Sequence, residues 1–128
     1  MDSNFLFIPV QFNIDIFDEM ERILAAKVEP ILPLPVLEEL KSLAVGGSPK
    51  VRRQASSALK LAQRCKSLEV SKHPGESVDD FILRVASGSG LVVATTDREL
   101  RKRLRNISIP VIYLRDRSHL AVEGGGLI

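Results

Sequence analysis

Leu91-Val92-Val93-Ala94-Thr95-Thr96-Asp97-Arg98-Glu99-Leu100 is the stretch from which the fold is read. Leu91 to Thr95 form an apolar run without polar alternation. A strand wetted on one face alternates, so an unbroken run suits a strand covered on both faces, as in a parallel sheet. The run gives way to Asp97, a residue type favoured at helix starts, and Leu100 and Leu104 follow at helical spacing. The segment reads as strand, acidic turn, helix.

The same grammar recurs outward from it. Apolar stripes at i, i+3, i+4 and i+7 predict helices after Asp15 (Ile16, Phe17, Met20, Ile23, Leu24), after Pro35 (Val36, Leu37, Leu40, Leu43), after Ser48-Pro49 (Val51, Ala55, Ala58, Leu59, Ala62) and after Ser77 (Val78, Phe81, Ile82, Val85). Between them lie the short runs 28–32, 67–70 and 110–114, which predict strands. Strand and helix alternate, so the expected class is α/β, a three-layer sandwich about a central, mainly parallel sheet. The expected organisation is one domain over residues 1–123, with a flexible tail over 124–128 that contains Gly124-Gly125-Gly126. The first strand is open. Either Phe5-Leu6-Phe7-Ile8 supplies it, or the natural chain begins a few residues ahead of Met1.

Composition narrows the chemistry. With 128 residues and 45% hydrophobic content the chain suits one core. No apolar run is long enough to span a bilayer, and the start lacks signal-peptide character, so no membrane partner is expected. Cys65 stands alone, which fits a reducing, cytoplasmic setting. One Cys and two His (His73, His119) speak against a zinc site of thiolates and imidazoles. Any metal must be a hard one held by oxygens.

The acids that could hold it are Asp2, Glu39, Asp79 with Asp80 beside it, and Asp97. Ligands in open α/β sheets gather at the carboxyl ends of strands, and each of these acids lies at a strand end or in an early helical turn. Converging like charges costs stability unless a cation neutralises them, so the set points to Mg²⁺ or Mn²⁺. Asp79 and Asp80 lie about 100° apart on a helix, so one of the two faces such a site fully. Ser3, Asn4, Thr95 and Thr96 flank the acids and can orient carboxylates or metal-bound waters. Two basic stripes accompany them. Residues 49–66 carry six Lys or Arg and no acid, and residues 98–105 carry five against Glu99. Arg52, Arg53, Arg98 and Arg101 are the candidates for RNA phosphates. Taken singly, Asp97 is equally a helix cap and Asp79 a first-turn acid favoured by the helix dipole.

The segments Asp2-Ser3-Asn4-Phe5-Leu6, Val36-Leu37-Glu38-Glu39-Leu40, Val78-Asp79-Asp80-Phe81-Ile82-Leu83 and 93–100 resemble, in order and spacing, the motifs of PIN-domain nucleases. The likeness is to the archaeal branch related to the PIN nuclease that processes small-subunit ribosomal RNA. It implies a parallel sheet flanked by helices and an Mg²⁺- or Mn²⁺-dependent endoribonuclease. Asp2, Glu39, Asp79 and Asp97 match the family's acids, and Asp80 is the neighbour that an alignment one residue out would choose. The resemblance leaves rRNA processing, a toxin ribonuclease and an inactive RNA-binding scaffold as the function classes. The partners it implies are RNA, a homodimer mate, and an antitoxin or a ribosome-assembly factor.

Overall fold

The computed structural model describes residues 1–124. The tail expected over 124–128 therefore lies, beyond Gly124, outside the described residues. Met1–Asp2 lead into a 3-10 segment, Ser3–Phe7, and helix α1, Ile8–Phe12. Then come α2 (Ile16–Leu24), β1 (Ile31–Pro33), α3 (Leu34–Gly46), α4 (Pro49–Ala62), β2 (Lys66–Leu68), α5 (Val78–Ala86), β3 (Val93–Ala94), α6 (Arg98–Asn106), β4 (Val111–Arg115) and β5 (His119–Glu123).

The helix starts follow from their caps. Asp15 accepts from Phe17 N–H, Ser48 from Val51 N–H, Ser77 from Asp80 N–H, and Asp97 from Glu99 and Leu100 N–H. Pro49 occupies the first turn of α4, where a missing N–H costs nothing. Gly47 lets α3 fold back on α4. A Cβ there would meet Leu43 O and Val51 Cγ1 at 2.8 Å.

β1 pairs with β2 in parallel; β3 pairs with β4 in parallel, and β4 with β5 antiparallel. The fold is thus α/β, with helices around strands that pair mainly in parallel, in a 2-stranded and a 3-stranded sheet. β1 is short because Pro30 and Pro33 bracket it. β5 was not anticipated from the sequence. It returns from β4 through residues 116–118, where Asp116 and Arg117 take positive φ, and its Leu120 N–H donates to Glu19 of α2. The core joins Phe5, Leu6, Ile8, Ile16, Val36, Leu40, Phe81, Leu100, Leu104 and Val111, all fully covered. Among the described residues no helix is long and apolar enough to cross a membrane.

One of the two alternatives for the first strand is excluded here. Phe5-Leu6-Phe7-Ile8 does not form the first strand. Asp2 caps a 3-10 turn that runs straight into α1, and Phe5, Leu6 and Ile8 are buried by helical spacing instead. Met1–Asp2 instead lie between β1 and β3. The Met1 ammonium donates to Ile31 O in β1 (2.8 Å), and Asp2 N–H donates to Ala94 O in β3 (2.9 Å). These two residues bridge the 2-stranded and 3-stranded sheets.

Candidate metal centre

Asp2 is the anchor of the site. Only 4% of it is exposed, because the bridge to Ala94 pulls it between the sheets. A buried carboxylate must be hydrogen-bonded. Its Oδ1 accepts from Ser3 N–H (2.9 Å); its Oδ2 accepts from Thr95 Oγ1–H (2.9 Å) and Asn4 Nδ2–H (3.1 Å). Asn4 is fixed in turn, since its Oδ1 accepts from Thr96 N–H (3.0 Å). Thr95, fully buried at the end of β3, also accepts from Asp97 N–H (3.1 Å). Ser3 Oγ donates to Glu39 Oε1 on α3. A single network therefore links Asp2, Glu39 and Asp97, which are far apart in sequence.

Asp79 completes the group electrostatically. Burial first, and then the charges of Asp97, Asp2 and Glu39, push its carboxyl above the usual carboxylate range, against a smaller pull from Arg103. Burial also raises Asp2, against the hydrogen bonds from Thr95 and Ser3 and with a further push from Glu39. Among the described residues no Lys or Arg forms an ion pair with Asp2, Glu39, Asp79 or Asp97. Burial lowers the ammonium of Met1, the nearest fixed positive group in the chain order.

Asp80 is placed differently. Its carboxylate pairs with Arg103 of α6 at 2.5 Å, and that contact holds it below the ordinary carboxylate range. Arg103 was not singled out in the sequence, since it sits 23 residues from its partner and only the fold joins α5 to α6. The structure thus sets Asp80 apart from the other acids. Thr96 contributes its backbone N–H rather than its hydroxyl. Arg52, Arg53 and Arg98 are exposed and enter no ion pair among the described residues. Arg101 is partly tied down, 3.4 Å from Glu123 and stacked 4.2 Å over Tyr113.

Do these residues fit a metal? The donor set is four carboxylates that make no ion pair with Lys or Arg among the described residues, which suits an oxygen-seeking divalent cation. As their side chains stand, no three His, Cys, Asp or Glu among the described residues close around one point. The residue types suit such an ion, and the hydrogen bonds through Ser3 and Thr95 tie Asp2, Glu39 and Asp97 to one another.

With this geometry in hand, comparison with known proteins defines the class. Residues 1–117 match the family described as PIN like domain, and the chain belongs to it. Its relatives sharpen the picture. The chain is 30% identical to Ribonuclease VapC4 of Methanocaldococcus jannaschii, over 96% of this chain and 94% of that protein. It is 37% identical to the rRNA-processing protein FCF1 of Saccharomyces cerevisiae, over 94% of this chain but only 61% of that protein. Among solved structures, the PIN domain endonuclease Utp24 superposes with a TM-score of 0.80 at 28% identity, over 96% of this chain and 88% of that one.

Proposed function

We propose that this chain is a metal-dependent endoribonuclease that hydrolyses RNA phosphodiester bonds. The observation that carries the reading is the group of Asp2, Glu39, Asp79 and Asp97, linked or coupled to one another and left without a basic partner among the described residues. A protein tolerates such repulsion where a cation relieves it.

Asp2, Glu39, Asp79 and Asp97 would hold Mg²⁺ or Mn²⁺. When bound, the ion supplies water activation and neutralises charge developing on the phosphate. The rest of the chemistry belongs to the chain. Thr95, Asn4 and Ser3 N–H fix the Asp2 carboxylate, and Ser3 Oγ fixes Glu39. Asp97 gives Oδ1 to its helix cap, which leaves Oδ2 for a ligand. The raised carboxyl of Asp79 must lose its proton before it can ligate, so loading is favoured as pH rises. Arg98, exposed directly after Asp97, and Arg52 and Arg53 on α4 would take RNA phosphates.

Ribosomal RNA is the first substrate class to test, given the relatives named for rRNA processing. The 30% identity to Ribonuclease VapC4 supports a toxin ribonuclease of a toxin–antitoxin pair as the second reading. The test is cleavage of an end-labelled, partly structured RNA in Mn²⁺ by wild type and Asp97→Asn. Asparagine still caps α6, so the fold survives the change. The expected result is cleavage by wild type that EDTA abolishes and that falls at least about a hundredfold in Asp97→Asn. Equal cleavage by the variant would overturn the assignment. RNA binding without cleavage in either protein would favour the scaffold reading.

A further inference from the structure

Helix α6 sends its arginines in two directions. Arg101 and Arg105 turn toward β5, where Glu123 Oε1 lies 3.4 and 3.7 Å from their Nε atoms. Arg103 turns the other way, onto α5, and its Nη2 meets Asp80 Oδ1 at 2.5 Å. An acid on its own helix was available. Glu99 stands one turn before Arg103, the favourable order for an i, i+4 pair, yet Glu99 forms no ion pair among the described residues. The fold therefore draws this guanidinium off α6 and across to the first turn of α5.

That turn also carries Asp79, and α6 begins at its cap Asp97. Arg103 thus spans the two helices whose starts hold two of the four clustered acids. Its charge reaches Asp79, whose carboxyl it pulls down against burial and the neighbouring acids. The contact with Asp80 uses one N–H of the guanidinium. A guanidinium has five, and among the described residues no other N–H of the Arg103 side chain donates a hydrogen bond. The side chain keeps 46% of its surface exposed. Arg103 is a donor fork held at one corner and open at the others.

We propose that Arg103, pinned by Asp80, takes a phosphate of the RNA strand that lies across the Asp79 and Asp97 side of the site. The proposal deepens the endoribonuclease reading and rests on it for RNA as the ligand. Arginine suits the task, because its planar fork matches phosphate oxygens in pairs and it stays charged at any working pH. Asp80 is the positioning residue. It fixes the direction of the fork, so less side-chain freedom is lost when a phosphate arrives. Arg52, Arg53 and Arg98 have no ion-pair partner among the described residues, so they would contribute charge more than placement. Arg103 is held by Asp80 and not by the acids that would hold the metal. Its effect therefore falls on RNA binding more than on the chemical step.

The test measures binding of the end-labelled, partly structured RNA in EDTA, over a series of salt concentrations, by wild type, Arg103→Gln, Arg103→Lys and Asp80→Asn. Arg103→Gln is expected to weaken binding at least about tenfold and to reduce the salt dependence by about one phosphate contact. Arg103→Lys should keep the salt dependence and recover only part of the affinity, since an ammonium lacks the fork. Asp80→Asn should cost less than about threefold, because it unpins Arg103 but also removes a charge that repels the strand. In Mn²⁺, Arg103→Gln should raise KM at least about tenfold and leave kcat within about threefold. A pair that only fastened α5 to α6 would suffer equally from the loss of either partner. Equal losses of binding and of Tm in Arg103→Gln and Asp80→Asn would therefore overturn the proposal, as would an unchanged salt dependence in Arg103→Gln. Weakened binding by Arg103→Gln where wild type cleaves no RNA would sink the nuclease reading and uphold the phosphate site. No RNA binding by wild type would overturn both.

Discussion

Asp79 and Asp80 are neighbours on α5, and the two sides of that helix treat a carboxylate in opposite ways. Toward the rim, Asp79 meets burial and the charges of Asp97, Asp2 and Glu39, and its carboxyl is pushed up. Toward α6, Asp80 meets Arg103 and is held down. Farther along the same outer side, Arg84 holds Glu76 at about 2 with a bidentate contact, 2.8 and 2.9 Å. The outer side resembles any solvated surface, where acids are matched by bases. The inner side leaves its acids without an ion pair among the described residues, and the pull of Arg103 on Asp79 is outweighed by burial and by the neighbouring acids. That difference is what the proposed function uses to tell carboxylates of the surface from carboxylates for a ligand.

The comparison is broken most severely by exchanging the roles of the two aspartates. Asp79→Asn should cut metal-dependent RNA cleavage at least about a hundredfold, and Asp80→Asn less than about tenfold, in side-by-side rate measurements. Next in size is the support beneath the rim. Thr95→Val removes a donor to Asp2 and strands the Asp97 N–H that Thr95 accepts. The expected loss is about 1–3 kcal/mol of stability, read by urea titration, because a buried polar group is left unpaired.

Proton linkage gives a third effect of opposite sign on the two sides. Asp79 and Asp2 have raised carboxyls, so the folded chain holds more protons than the unfolded one above the ordinary Asp range. Their contribution to stability falls as pH rises through that window, and the cluster is destabilising at neutral pH without metal. Asp79→Asn should accordingly raise Tm in EDTA at neutral pH by a few degrees, and the gain should vanish in acid. Glu76 is depressed instead. Its contribution is complete above the ordinary Glu value near 4.5 and is lost as pH falls toward about 2. The smallest effect is expected there. Glu76→Gln removes a contact at the surface and should leave neutral-pH Tm within about 1 °C, because solvent screens such pairs.

Much of the inner side was legible in the sequence, and the outer side was not. Asp97 and Thr95 stand out because a buried strand ends on them and a capped helix begins. Glu39 and Asp79 were placed by the helical stripes around them. The pairing of Asp80 with Arg103 depends on how α5 packs against α6, which no local pattern encodes. The opening segment left two readings open for a definite reason. Phe5-Leu6-Phe7-Ile8 is a contiguous apolar run, and such a run looks alike in a buried strand and a buried helix. Asp2 decides between them by capping the 3-10 turn with Ser3 N–H. β5 escaped because His119–Glu123 is short and mixed in polarity, and only its antiparallel pairing with β4 makes it a strand.

The most direct test of the central claim is calorimetric titration of Mn²⁺ into metal-free wild type, Asp79→Asn and Asp80→Asn at neutral pH. The account predicts saturable binding by wild type and Asp80→Asn and at least a tenfold weaker affinity in Asp79→Asn. Equal affinity in all three proteins, or no binding by wild type, would contradict it.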